Sequence, residues 1–432
     1  MSQKHTVVLI SNDSVGSTMA GPGIRYFEMA INLSLFFKIT LLVPSACDIQ
    51  PDSFSIIPYN PSPLTLSREL DKLTLKADYV IAQNLPPLFL RKLKKRGIKY
   101  IADLYDPLPI EILEYTKGAP SSEAEKTFSF IHRSFLTQLV FADHILYATE
   151  RQRDYYLGLL SALKVLNPEQ YREDTQTKKL MTALPFGLDN ETVGPKDKNF
   201  YHERFPAIAP FDTVLLWGGG IWNWFDPLTV IKAVEKYSSI NKSLKLVFLG
   251  TKHPNPKVKE MEMATKAVGY ARDHNLIDHS VFFNFGWTPY AENKKYLAAA
   301  DIGVTAHFLN LENDFSFRTR VLGYLWAELP IITTKGDFFA DLVEKENLGI
   351  VVSEEDDKAY SLAIETLVSD QKRYENCRKN ITNTSKRFKW SNLVQPLIEK
   401  IENGSIQLRP AGKGANTTTL LYYVAGINKK LR

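Results

Sequence analysis

Along most of the chain, apolar residues fall in short unbroken runs rather than in strict alternation. The first half holds "HTVVLIS" (5–11), "ITLLV" (39–43), "DYVIAQN" (78–84), "KYIADL" (99–104) and "DHILYAT" (143–149). Short apolar runs bounded by turn formers predict strands buried on both faces, as parallel sheets require. Between them the spacing turns helical, as at 24–37 "IRYFEMAINLSLFF" and at 121–141. The pattern loosens at 190–212, "NETVGPKDKNFYHERFPAIAPFD", whose proline and charge predict a linker. A second series follows: "TVLLWGGG", "LKLVFLG", "SVFFNFG", "DIGVTAH", "LPIITT" and "LGIVVS". Two doubly wound α/β domains in tandem are the expectation. Such folds bind ligands outside the carboxyl ends of their strands, which directs attention to the loops that follow them.

One of those loops opens the stretch "NDFSFRTRVLGYLWAELPIITT" at 313–334. Phe317, Val321, Leu322 and Leu325 recur at the spacing of one helix face, Ser316 or Asp314 could cap it, and "LPIIT" reads as a strand. Arg318 and Arg320 then fall in the first turn, where the helix dipole disfavours cations. Either they pair with Glu312 and Asp314 on a solvated surface, or they hold an anion together with free backbone N–H groups.

The other loops of the second half favour the anion. Gly218, Gly219 and Gly220 follow a strand, and Asp226-Pro227 forms an N-cap and first-turn pair for the next helix. The loop is neither a dinucleotide fingerprint, since Asn223 stands where its third glycine would be, nor a Walker A loop. Trp222 and Trp224 are either ligand walls or packing. In "NFGWTPYAE" a strand ends at Gly286, Trp287 follows, and Pro289 leads into a helix with Tyr290, a turn against which a planar base could lie. Gly336-Asp337 again leads a strand into a helix. In the first half, "SNDSVGSTMAGPG" at 11–23 reads as a loop whose Gly21 and Gly23 let backbone approach a ligand, followed by Arg25. Asp103 and Asp106, at a strand end, serve either turn capping or acceptor hydroxyls.

Composition narrows the class. The 432 residues are 44% hydrophobic, enough for two full cores. Two cysteines, Cys47 and Cys377, make no disulfide framework or zinc site, which points to a reducing compartment. No run has the length of a signal peptide core or a membrane span, so the expected location is cytoplasmic. A net charge of +5 is too slight to argue for nucleic acid. From Ser405 onward there are no acids, whereas Arg409, Lys413, Lys429, Lys430 and Arg432 are basic and "LLYYVAGI" (420–427) is apolar. That tail either docks on the protein or touches an anionic membrane surface, at the inner face if the location is cytoplasmic.

The order of these segments resembles a known family. The glycine-rich loop, "FGWTPYAE", "AADIGVTAH" and "FSFRTRVLGYLWAELPIITT" are similar to the second half of family 4 glycosyltransferases of GT-B fold. "GPGIRYFEMA" and "LPFGLD" are similar to that family's first loop and interdomain segment, and "FRTRVLGYLWAELP" looks like a bacterial surface-polysaccharide subgroup.

The resemblance implies two Rossmann-like domains facing a central cleft. An acceptor domain would span 1–195 and a nucleotide-sugar domain 205–390, with 391–432 packing back on the first. It implies a retaining, metal-independent transfer from a nucleotide sugar to a glycan or lipid-linked acceptor, with no cofactor. Gly218, Gly219, Gly220, Trp222, Gly286, Trp287, Tyr290, Ser316, Phe317, Gly336 and Asp337 would line the donor. Arg318, Arg320 and Glu312 or Asp314 would face its diphosphate and sugar; Gly21, Gly23, Arg25, Asp103 and Asp106 would lie on the acceptor side. Three features depart from the family. The cations that usually follow the glycine loop are missing from "GGGIWNWF", Phe315 and Gly323 replace a spaced carboxylate pair, and no histidine stands near "IADLYDPL", leaving His132 and His307 as candidates. A second reading is therefore a GT-B protein with a degenerate donor site that binds a partner.

Overall fold

The computed structural model describes residues 4–251 and 261–410. Its chain divides into two compact units: residues up to Phe186 with those from Trp390 onward, and Gly187–Lys389.

In the first unit the strands are β1 (Thr6–Ile10), β2 (Lys38–Val43), β3 (Ser55–Pro58), β4 (Tyr79–Ala82), β5 (Lys99–Asp103), β6 (His144–Tyr147) and β7 (Met181–Ala183). They form one sheet in the order β3-β2-β1-β4-β5-β6-β7, with every neighbouring pair parallel. The second unit holds β8 (Thr213–Trp217), β9 (Leu244–Phe248), β10 (Val281–Phe283), β11 (Ile302–Val304), β12 (Ile331–Thr334) and β13 (Gly349–Val352), ordered β10-β9-β8-β11-β12-β13 and again all parallel. In each sheet the order reverses beside the first strand, which opens a crevice at the strand ends there. The central strands β1, β4, β8 and β11 are buried almost throughout, which accounts for their unbroken apolar runs.

Eleven of these strands correspond to the apolar runs. β3 and β7 do not. β3 buries only Ile56 and ends on Pro58, and β7 is broken by Thr182 and exposes Ala183, so neither carries an apolar run to read. The helix expected at 121–141 is Ser121–Phe141. The one expected at 24–37 begins earlier, at Gly21, with Pro22 in its first turn. The stretch 190–212 is no free linker. Lys196 pairs with Asp301, and the helix Phe200–Arg204 buries Phe200 and sends the Tyr201 hydroxyl to the Tyr296 carbonyl at 2.7 Å. The break between the units therefore falls at Phe186 instead of 195. The helices Trp390–Leu393 and Gln395–Glu402 belong to the first unit, where Trp390 is fully buried against Phe186. Of the basic tail, Arg409 docks on that unit through the Ala142 carbonyl and the Asp143 carboxylate; Lys413, Lys429, Lys430, Arg432 and the apolar 420–427 lie outside the described residues.

Candidate functional site

The carboxyl ends of β8, β11 and β12 bring together most of the expected donor-side residues. After β8 the chain turns at Gly219, whose φ of +142° excludes a side chain in practice. Gly218 donates its N–H to the Tyr324 hydroxyl at 2.8 Å, and a Cβ there would lie 3.0 Å from the Tyr324 ring. That hydroxyl donates in turn to the Val304 carbonyl at 2.8 Å. The close approach that makes Gly218 a glycine is therefore to Tyr324. Trp222 stacks on Trp224 with ring centroids 5.2 Å apart and planes 6° apart, so the tryptophans wall each other. Asp226 caps the helix Pro227–Ser238 by accepting from the Thr229 N–H at 3.0 Å, as its sequence predicts.

The two arginines differ. A short helix, Leu311–Phe315, is capped by Asn310, and a second, Thr319–Trp326, follows it. Neither Asp314 nor Ser316 caps the second helix: Arg318 holds that position without a side-chain cap bond, and Ser316 donates back to the Asn313 carbonyl at 3.1 Å. Arg318 forms a buried fork with Glu312, at 3.1 Å and 2.6 Å, and reaches Asn313 Oδ1 at 3.2 Å. The pairing with Glu312 is real but not solvated, since both side chains are 6% exposed. Arg320 has no carboxylate partner among the described residues. Its Nη2 donates to the Gly220 carbonyl at 2.7 Å, and its guanidinium lies 3.9 Å from the Phe225 ring centroid and 4.5 Å from that of Trp217. Burial pushes the Arg320 pKa down to about 10, with the nearby Arg318 charge adding to the effect and Tyr324 opposing it.

Buried polar atoms without a hydrogen-bond partner in the protein cluster around these residues. They are Thr305 Oγ1, His307 Nδ1, Asn313 Nδ2, Arg318 Nε, Arg320 Nη1 and Asp337 Oδ2. Each buried polar group left unpaired costs about 1–3 kcal/mol. Arg318 Nε and Asp337 Oδ2 face each other at 3.8 Å, beyond hydrogen-bond reach, and with the other four they mark a region built for something other than its own packing. His307 sits 3.1 Å from the Lys335 carbonyl through Nε2, which assigns the proton there and leaves Nδ1 an acceptor. Burial, aided by Arg318, lowers its pKa to about 3 and keeps it neutral. Asp337 caps the helix Phe338–Glu346 through Oδ1, 2.7 Å from the Ala340 N–H, while Oδ2 stays 3.8 Å from Arg318 Nε. Burial raises its pKa to about 6 against the lowering effect of Arg318. Gly336, at φ +115°, has no room for a Cβ beside Leu309 and Asn313. Thr305, Asn313 and Tyr324 carried no signal in the sequence, because their role lies in partners from distant elements.

The remaining expected residues are more dispersed. Gly286 is exposed and Trp287 half-buried, 3.8 Å from where a Cβ on Gly250 would stand. Tyr290 starts the helix Tyr290–Ala299 after Pro289. Phe317 packs against Phe339 and Phe338 at 4.7 Å and 5.5 Å, and Asp314 is exposed. Gly323 faces Leu297, whose Cδ1 would lie 3.1 Å from an added Cβ. In the first unit, Gly21 and Gly23 lie inside a helix rather than in a loop, and a Cβ on Gly23 would collide with the Ser14 carbonyl; it serves loop packing. Arg25 and Asp103 are both 0% exposed and joined by two bonds of 2.8 Å and 2.6 Å, with Arg25 also donating to the Leu184 and Pro185 carbonyls. That geometry makes them a framework tie, closed to acceptor hydroxyls. Asp106 is half-buried, and His132 stacks on Phe128 at 5.4 Å, with burial lowering its pKa.

Residues 225–384 match the sequence profile of the family described as glycosyl transferases group 1. No curated protein sequence matches the chain. Among solved structures, HepE from Anabaena in complex with UDP-glucose aligns with a TM-score of 0.64 at 10% identity, covering 92% of this chain and 99% of that one. WaaG, a glycosyltransferase involved in lipopolysaccharide biosynthesis, aligns at 0.61 and 14%, covering 92% and 98%. Sucrose-phosphate synthase from Thermosynechococcus elongatus aligns at 0.60 and 14%, covering 93% and 99%. The fold is GT-B, and the matched domain makes the chain a glycosyltransferase.

Proposed function

We propose that this glycosyltransferase takes its sugar from a nucleoside-diphosphate donor held at the carboxyl ends of β8, β11 and β12. The observation that carries the reading is Arg320: a cation with no carboxylate partner, fixed on Phe225 and Trp217 beside the Gly218–Gly220 turn, with Nη1 unpaired. A departing diphosphate develops negative charge as its bond to the anomeric carbon breaks. A preorganised guanidinium stabilises that charge without reorganisation. HepE, one of the solved structures of similar fold, was determined with UDP-glucose, which supports the donor class. The finer reading is a retaining, metal-independent transfer to a glycan or lipid-linked acceptor in surface-polysaccharide synthesis, by an enzyme working in the cytoplasm, peripherally at the inner face of the membrane. The pathway is supported by the resemblance of residues 317–330, and the membrane contact by the basic, acid-free sequence from Ser405 onward. Titration calorimetry against nucleoside diphosphates and nucleotide sugars, with chelator present, tests it. Saturable binding of one nucleotide family is expected; binding that appears only when a divalent cation is added overturns metal independence.

Gly323 favours the second reading, a donor site too degenerate for turnover. Its neighbour Leu297 occupies the side where a longer residue would project. Binding without transfer in a donor and acceptor screen would support it.

A further inference from the structure

The amino edge of the first sheet, opposite the strand ends that bind ligands in such folds, carries a charge pattern that donor chemistry does not use. The starts of β2, β1, β4, β5 and β6 line this edge in hydrogen-bonded succession. Lys38 donates its N–H to His5, Asp78 to Thr6, Lys99 to Asp78 and Asp143 to Tyr100, each to a carbonyl within 3.1 Å. The helices Gly21–Ser34, Leu66–Leu73 and Pro87–Arg96 all end here, because each feeds the next strand from this side. Lys4, Lys38, Lys72, Lys76, Lys95 and Arg96 are exposed along it. Of its acids, Glu402 is exposed next to Ile401, whose carbonyl accepts from the Tyr79 hydroxyl, and three others are engaged. Asp71 pairs with Lys92 and Arg96, Asp78 accepts from the Thr6 N–H beside His5, and Asp143 takes Lys94 and the N–H groups of Tyr100 and Arg409.

Cations at helix ends complement the dipole, which accounts for Lys72, Lys95 and Arg96. Lys4 likewise donates to the Leu35 carbonyl, 3.4 Å away, at the end of the helix Gly21–Ser34. The dipole does not account for Lys38 or Lys76, nor for three leucines that protrude among them. Leu35 is 68% exposed, Leu75 57% and Leu408 43%. From Arg409, anchored at this same edge, the chain continues into residues 411–432, which contain four cations and no acid. Lys38, Lys72, Lys76 and Lys95 have no carboxylate partner among the described residues. With the exposed leucines they complement an anionic bilayer, whose headgroups take the charge and whose acyl boundary takes the leucines.

We infer that the amino edge of the first sheet docks the enzyme on an anionic lipid surface. This rests on the membrane location proposed above, names the surface that meets the lipid, and is independent of donor chemistry. The test is co-sedimentation of the full chain with vesicles of phosphatidylglycerol and phosphatidylcholine, against phosphatidylcholine alone. The native chain should bind the anionic vesicles only, and lose binding as salt rises. The triple variant K72E/K76E/K95E should partition at least about tenfold less, with each cation contributing on the order of a few-fold. Its melting temperature and nucleotide affinity should be unchanged; if charge reversal unfolds it, K72Q/K76Q/K95Q serves the same comparison. Failure of the native chain to bind anionic vesicles, equal binding by a folded variant, or stronger retention on a single-stranded oligonucleotide than on lipid overturns the inference. Nucleotide titration of the same preparations shows separately whether the donor reading stands.

Discussion

Arg318 and Arg320 are two positions apart and carry the same charge, yet their partners give them different work. Arg318 is neutralised by a buried carboxylate, so removing it leaves Glu312, 5% exposed, without its counter-charge. Breaking a buried pair in this way costs about 3–5 kcal/mol, and Arg318→Ala should lower the denaturation midpoint sharply. Arg320 has no such duty. Arg320→Ala should leave stability closer to native and weaken nucleoside-diphosphate binding by about 1.5–3 kcal/mol, as for a charge-assisted hydrogen bond. The opposite assignment, with stability lost at Arg320 and affinity alone lost at Arg318, would contradict the geometry. Asp337 supplies a prediction in pH. Its carboxyl titrates near the ordinary 3.8 when unfolded and at about 6 when folded. The folded chain therefore binds the extra proton between those values, so this group's contribution is present below about pH 4 and lost as pH rises through 6. Asp337→Asn removes the titration. Chemical denaturation at pH 4 and pH 7 should show the variant gaining on the native chain by on the order of 2–3 kcal/mol as pH rises, and a constant difference would contradict the burial argument. The arginines, the glycine turn and Gly336-Asp337 were legible in the sequence because each stands in a local strand-to-helix pattern. The fork to Glu312 was legible only as a pairing, because burial is set by elements the local pattern does not contain.

At the scale of elements, the helix Thr319–Trp326 shows how a position can be filled from outside. Glycine inside a helix costs about 0.5–1 kcal/mol relative to alanine, and here Leu297 packs into the space it leaves. Gly323→Asp should therefore cost stability and leave nucleotide binding no tighter, since the new carboxylate meets a leucine rather than a ligand. The double variant Gly323→Asp with Leu297→Ala should recover part of the loss, a coupling that a double-mutant cycle reads directly. Additive effects would mean the two side chains do not compete. The same helix ends on Glu328 at φ +58°, where its side chain is held by Arg378 and Thr382 at 3.1 Å and 2.9 Å. Most strands were readable as apolar runs, and caps such as Asp226 and Asp337 as motifs. The edge strands β3 and β7 were not, because their pairing with a neighbour, rather than their own composition, makes them strands. The glycines at 21 and 23 were misread for a related reason: Pro22 starts a helix as readily as it closes a loop.

For the whole molecule, the alternation of runs was enough to read two parallel α/β units, while the break between them was not. Proline and charge suggested a linker at 190–212, yet Lys196, Phe200 and Tyr201 are bound into the second unit. Deleting residues 411–432 leaves Arg409 on Asp143, so the truncated chain should fold and bind nucleotide as the full one does. Lipid co-sedimentation should fall but persist, because the lysines of the sheet edge remain. Loss of folding on this deletion would instead assign the tail to the core of the first unit. The central claim is that a nucleoside diphosphate sits against Arg320 and the glycine turn. Hydrogen–deuterium exchange with a saturating nucleoside diphosphate tests it most directly, since bound backbone is protected in proportion to the local opening it suppresses. Protection should appear at 217–226, 304–308 and 311–322, and disappear in Arg320→Ala at the same ligand concentration. Protection confined to the first unit, or the same protection in Arg320→Ala, would contradict it.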